Sequence, residues 1–218
     1  MGDGATDRSE AGQAPGRLIH GLLLAYGIVW IWLAVDPVNR RDWLLENLLP
    51  LAGFTLLLVT YRRFQFSRLS YCLIAFFLTL HAIGAHYTYA EVPFGYWLKD
   101  VLALSRNPFD RLVHFAFGLL LAYPVREWLV RLAKVEGAWS YYLPMSAILA
   151  QSSLFEIIEA VVAVLVSPEL GNLYLGTQGD EWDAQKDMAA ALVGAFFAMA
   201  VTFVAARFSS AGAMAGSR

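Results

Sequence analysis

Four stretches of the chain carry His, Asp and Glu within otherwise apolar sequence, three of them at helical spacing. LHAIGAHYTYAEVP holds His81 and His86, and NPFDRLVHFAFG places Asp110 and His114 four apart. QSSLFEIIEAVVAV places Glu156 and Glu159 three apart, and DEWDAQKDM spaces Asp180, Asp183 and Asp187 by three and then four. Residues three or four apart share a helical face, so each of the last three stretches presents its ionisable groups in one direction. Imidazole nitrogens mixed with carboxylate oxygens suit Zn, Mn or Fe better than Mg or Ca. The same groups also accept and return protons at a reacting centre.

The elements that must position these residues are membrane helices. The chain has 218 residues, of which 58% are hydrophobic, 14% aromatic and only 16% charged, with a mean hydropathy of +0.52. That is too apolar for an ordinary soluble domain. The net charge of −2 leaves no broad basic surface, so nucleic acid is excluded as a partner. Cys72 is the single cysteine and sits in an apolar run, which rules out an internal disulfide framework and a thiolate metal cluster. It is expected to be a small buried hydrophobe.

A helix needs about 20 residues to cross a hydrocarbon core of about 30 Å. Six segments approach that length: 18–35, 44–61, 69–89, 109–130, 140–166 and 187–206. The expected fold is therefore all-α, a polytopic bundle of about six transmembrane helices over residues 18–207. Residues 1–17 and 208–218 are expected to be disordered tails. The first apolar run ends in DPVNRRD rather than a small-residue cleavage site, so it reads as a mature span and not a secretory signal. FGYWLKDVLALSR, 94–106, reads as a helix lying along the membrane surface. The tryptophans at 30, 32, 43, 97, 128, 139 and 182 fall near the span ends, as an aromatic belt does.

Lys and Arg count sets the expected orientation. Arg8, Arg17, Arg62, Arg63, Arg68, Arg126, Arg131, Lys134, Arg207 and Arg218 fall on one side of the six spans. Arg40, Arg41, Lys99, Arg106, Arg111 and Lys186 fall on the other, a division of ten to six. Both termini are expected in the cytoplasm, although Arg40 and Arg41 run against that count. His86, Asp110, His114, Glu156, Glu159, Asp183 and Asp187 then collect in the outer leaflet, from four separate helices.

Even insertion scales charge about 2.5–3.5 kcal/mol for an Asp at the centre of a membrane helix. Arg111 and Lys186 are too few to neutralise Asp110, Glu156, Glu159 and Asp187, so a metal or shared protons are expected to complete the balance. The candidate metal ligands are His86, Asp110, His114 and Asp183, and the candidate catalytic carboxylates are Glu156, Glu159 and Asp187. Blander roles compete. Asp180 and Glu181 suit the solvated start of a helix, Asp110 suits an N-cap after Asn-Pro, and His81 suits an interhelical hydrogen bond. Ser152 and Ser153 precede Glu156 by a turn, but no GxSxG elbow accompanies them.

HAIGAHYTYAEVPFG, NPFDRLVHFAFG, SSLFEIIE and GTQGDEWDAQKDM, in that order, resemble the YjdF-type bacterial inner-membrane proteins, a group described as a domain of unknown function. More distantly, the D-R-x-x-H-F run, a later Glu and D-x-x-x-A-x-x-G from Asp187 to Gly194 are similar to the VanZ-like proteins, which are linked to glycopeptide resistance. Those typically carry Lys where Arg111 stands and Asn where Ala191 stands. The resemblance implies a bacterial inner-membrane location and makes the motif residues the functional candidates.

Three classes of function follow from the residues. The first is a metal-dependent hydrolase activating water against a lipid or envelope-linked ester or phosphate, with a Glu as general base. The second is a small proton- or cation-coupled carrier whose carboxylates titrate during transport. The third is an envelope-stress or assembly protein in which the polar cluster only joins helices.

Overall fold

The computed structural model describes residues 16–215, with side chains to Phe208. Among the described residues all regular structure is helical: α1 (Gly16–Ala34), α2 (Arg40–Glu46), α3 (Leu48–Thr60), α4 (Arg68–His86), α5 (Pro93–Val101), α6 (Phe109–Arg131), α7 (Trp139–Leu165), α8 (Pro168–Leu175) and α9 (Asp183–Ala215). Of the two expected tails, residues 1–15 and 216–218 lie outside the described residues. Six helical stretches are long and apolar enough to cross a membrane, with α2 and α3 counted together as Arg40–Thr60. The architecture is the expected all-α polytopic bundle.

Its surface is inverted relative to a soluble protein. Trp32, Val164 and Leu165 are among the most exposed side chains, whereas Asp42, Asp183 and Asp187 are buried. Lipid removes the incentive to bury apolar side chains, so close contact must come from small residues that let backbones approach. The α6–α9 pair is built that way. A Cβ on Gly118 would lie 1.8 Å from the Ala191 carbonyl oxygen, and one on Gly194 would lie 2.1 Å from that of Phe115. Ala122, Ala191, Ala195 and Ala198 continue the seam, with Ile148 of α7 and Met199 closing over it. Asp187 precedes Gly194 by two turns and Asp110 precedes Gly118 by just over two. The two helices start at the same end of the bundle, hereafter the acidic end.

The second span is broken at its entrance. The Asn47 amide donates to the Trp43 carbonyl at 2.7 Å, and its oxygen accepts from the Trp30 indole at 2.7 Å. Trp43 is buried against Trp30, ring centroids 5.4 Å apart, so these two tie α1 to the break rather than forming an outward belt. Asn39 caps α2 by accepting from the Arg41 and Asp42 amides. Cys72 is exposed on α4, contrary to the expected buried position; its small side chain lies on the face turned away from the bundle.

At the other end of α6, Glu127 is a buried carboxylate whose partners are all present. It accepts from the Ser67 amide at 2.8 Å, the Ser67 hydroxyl at 2.9 Å, the Ser70 hydroxyl at 2.5 Å and Arg131 at 2.5 Å. This latch fastens the start of α4 to the end of α6.

Candidate functional site

The acidic end begins with Asn107. Its side-chain oxygen accepts from the Phe109 amide at 3.0 Å and so serves the first turn of α6, the role Asp110 could have taken. Its side-chain amide donates to the Ala90 and Val92 carbonyls. The backbone of Asn107 exchanges two bonds with the Gln178 side chain, at 3.0 and 3.1 Å. Gly176, with φ of 59°, ends α8 in a left-handed turn that only Gly adopts without strain. The segment 176–182 therefore folds back onto the mouth of α6, and α9 starts beside it.

Two arginines organise the acids there. Arg106 pairs with Asp183, donates to the Thr177 carbonyl at 3.0 Å, and lies 3.8 Å from Asp180 and 4.0 Å from Asp110. Arg111 bonds Asp183 at 2.7 Å and Asp187 at 3.2 Å, and lies 3.5 Å from Asp180. Lys186 holds Asp180 at 2.7 Å. Asp180 lies outside the spans, and the Lys186 hydrogen bond holds its carboxyl below the ordinary range.

Beneath the arginines lies a constellation without a cation of its own. One ligand atom each from Asp110, His114 and Asp187 lies within 4.8 Å of the others. His114 Nε2 is 3.7 Å from Asp110 Oδ1 and 3.6 Å from Glu156 Oε1. Glu156 and Glu159 stand three apart on α7 and repel one another electrostatically. Of the residues named from sequence, Asp110, His114, Glu156, Glu159 and Asp187 thus converge, and Asp183 joins through Arg111. His86 stands apart: its Nδ1 bonds the Leu33 carbonyl at 2.7 Å and its ring edge packs on Tyr87. His81 is fully engaged, with Nε2 donating to the Glu46 carbonyl at 3.1 Å and Nδ1 accepting from the Tyr89 hydroxyl. Ser153 donates to the Leu149 carbonyl at 2.8 Å and contacts Met188, and Ser152 is buried; among the described residues neither bonds a histidine.

Three contributors escape a linear reading. Arg106 lies in a loop, and its i,i+4 relation to Asp110 is the signal that could have found it. Asp42 and Glu46, also four apart, open the second span, where a boundary drawn at residue 44 separates them. Both are buried, at 1% and 4% exposure, and neither Asp42 oxygen nor Glu46 Oε2 has a hydrogen-bond partner. Glu46 interacts electrostatically with Asp42 and Asp110, and Glu159 with Asp110, Glu46 and Glu156. Tyr89 and Tyr174, outside the spans, face the same acids; burial first, then Glu46 and its neighbours, keep both phenols protonated well above their ordinary range.

The charge inventory is unequal. Arg106, Arg111 and Lys186 face Asp42, Glu46, Asp110, Glu156, Glu159, Asp180, Asp183 and Asp187. With the Asp180–Lys186 pair outside the spans set aside, two arginines cannot balance the seven remaining carboxylates in a low-dielectric setting, where each unpaired charge costs several kcal/mol. Either several carboxyls carry protons or a cation joins them.

Comparison with known proteins places the chain in a family. Residues 18–207 match the family described as a predicted membrane protein, DUF2238. The chain is 37% identical over 179 residues to the inner membrane protein YjdF of Escherichia coli strain K12, covering 82% of this chain and 85% of the relative. No solved structure matches. With nearly the whole membrane region covered, the chain belongs to the DUF2238 family of multi-pass inner-membrane proteins.

Proposed function

We propose that the acidic end is a divalent transition-metal centre that hydrolyses a lipid or envelope-linked ester or phosphate. The observation that carries this reading is the convergence of Asp110, His114 and Asp187 within 4.8 Å from α6 and α9, in a site with too few cations. Zn, Mn or Fe fits this donor set. Glu156, 3.6 Å from His114, is the general base in this reading. It takes a proton from the attacking water and, with Glu159, returns it to the leaving oxygen. Arg111 and Arg106, through Asp183 and Asp187, position the ligands. With both termini cytoplasmic, as the Lys and Arg count favours, the centre opens to the outer leaflet.

The test is metal content by mass spectrometry after purification in mild detergent. Stoichiometric transition metal in the wild type, lost in Asp187→Asn and His114→Ala at unchanged protein level, supports the centre; no metal in the folded wild type overturns it.

A second reading is favoured by one specific observation. The buried Asp42 oxygens and Glu46 Oε2, which have no hydrogen-bond partner, suit a store of exchangeable protons, as in a proton-coupled carrier. Proton flux into liposomes that persists with chelator and disappears in Glu159→Gln selects this reading over hydrolysis.

A further inference from the structure

The opposite end of α6 carries a feature the acidic centre does not use. Arg126 lies sixteen residues beyond Asp110, about 24 Å along the helix axis at about 1.5 Å per residue. There a cavity of 690 Å³ opens between α6, α7 and α9. Arg126, Ser140 and Tyr141 form its polar side, and Met145, Phe196 and Phe203 its apolar side. No carboxylate lines it.

Arg126 is held but not neutralised. Its guanidinium lies 4.6 Å over the Tyr141 ring and reaches the Ser140 hydroxyl at 3.4 Å. Its Nε is buried without a partner, and among the described residues it forms no ion pair. The first turn of α7 adds to this field, because Ala138, on the cavity lining, provides no side-chain cap and the amide end of a helix is positive. Arg126 is thus the charged side chain of the lining, with no carboxylate on it.

The apolar side identifies the form in which the anion arrives. Phe196 and Phe203 are 60% and 43% exposed on the outward surface of α9, so the cavity continues onto the face that meets acyl chains. We infer that this cavity binds the phosphate of an anionic phospholipid, with Arg126 clasping the headgroup and the tails lying along Phe196 and Phe203. Guanidinium and phosphate match in charge and fork geometry, and basic pockets between membrane helices take acidic headgroups. Free phosphate would leave the aromatic wall without an occupant.

The test uses the full chain in detergent, loaded with phosphatidylglycerol or with phosphatidylcholine of the same acyl chains, and counts retained lipid by native mass spectrometry. Wild type is expected to retain phosphatidylglycerol about tenfold more tightly, the value of one charge-assisted contact, and Arg126→Gln to bring the two lipids level. Phe196→Ala, which keeps the arginine, is expected to weaken retention of both lipids while leaving their ratio. Equal retention by the wild type, or a ratio unchanged in folded Arg126→Gln, overturns the site. Should Arg126→Gln not fold, Arg126→Lys serves: retained preference with weaker binding supports the site, and no change overturns it. Displacement of phosphatidylglycerol by inorganic phosphate alone assigns the cavity to a soluble anion and overturns the lipid.

Discussion

Glu127 and Asp187 are both buried carboxylates on helices of the same bundle, and their surroundings differ in kind. Glu127 accepts from two serines, a backbone amide and Arg131, which accounts for its negative charge locally. Asp187 shares Arg111 with Asp183 and Asp180 and faces His114, Asp110 and Glu156. The first arrangement fastens two helices and needs nothing more. The second is over-supplied with acid, and its shortfall of positive charge is what a metal ion or bound protons would meet. A buried carboxylate in a membrane is thus uninformative alone; whether its partners are complete separates a fastening from a site.

Substitutions can break or sharpen this contrast. The largest effect is expected from Gly194→Val, which forces α6 and α9 apart where a Cβ has no room. Both membrane protein level and metal content should collapse together, and a stable, metal-loaded variant would show that the crossing does not set the site. Next is Glu127→Ala, which leaves the buried Ser70 hydroxyl and the Ser67 amide unmet. Stability should fall by about 3 kcal/mol, read as a lower melting temperature, while metal per folded molecule stays constant. Asp187→Asn should invert that pattern. Loss of a ligand lowers metal affinity by at least about a hundredfold, since removing even an outer partner costs 10–100-fold, yet melting without metal should hold or rise as repulsion among the acids falls.

The smallest effect is expected from Asp180→Asn, at the water-facing edge of the cluster. Because the Lys186 hydrogen bond holds the Asp180 carboxyl below its ordinary 3.8, the stability it contributes is present above that pH. It disappears as pH falls through the lowered value. Melting of the variant and the wild type should therefore converge in strong acid, and metal content should match at neutral pH. Graded sensitivity, Asp187 over Asp183 over Asp180, is the pattern that separates a site from a solvated loop.

The spans were legible because the bilayer imposes one strong requirement, about twenty apolar residues in a run, and the described residues meet it six times. Spacing likewise exposed Asp110, His114, Glu156, Glu159 and Asp187, since ionisable groups stand out against apolar sequence. Arg106 stayed hidden because a loop residue's reach depends on how the chain turns at Gly176 and Asn107, which no periodicity records. Asp42 and Glu46 stayed hidden because the break at Asn47 admits a polar turn within the second span. The outward placement of Cys72 is set by the rotation of α4 about its axis, which an evenly apolar helix does not encode.

The glycine crossing of α6 and α9 also acts as a fulcrum. Asp187 stands seven residues from Gly194, a lever of about 10 Å along the axis. With the pivot fixed by backbone contact at Gly118 and Gly194, a change of about 5° between the helices swings Asp187 by about 1 Å relative to Asp110 and His114. That displacement is comparable to the difference between a closed coordination sphere and an open one, given metal–ligand lengths near 2 Å. Any force that tilts α9 in the plane of the bilayer, including lateral pressure on its outward phenylalanines, would thus be geared directly into the spacing of Asp187 from Asp110 and His114.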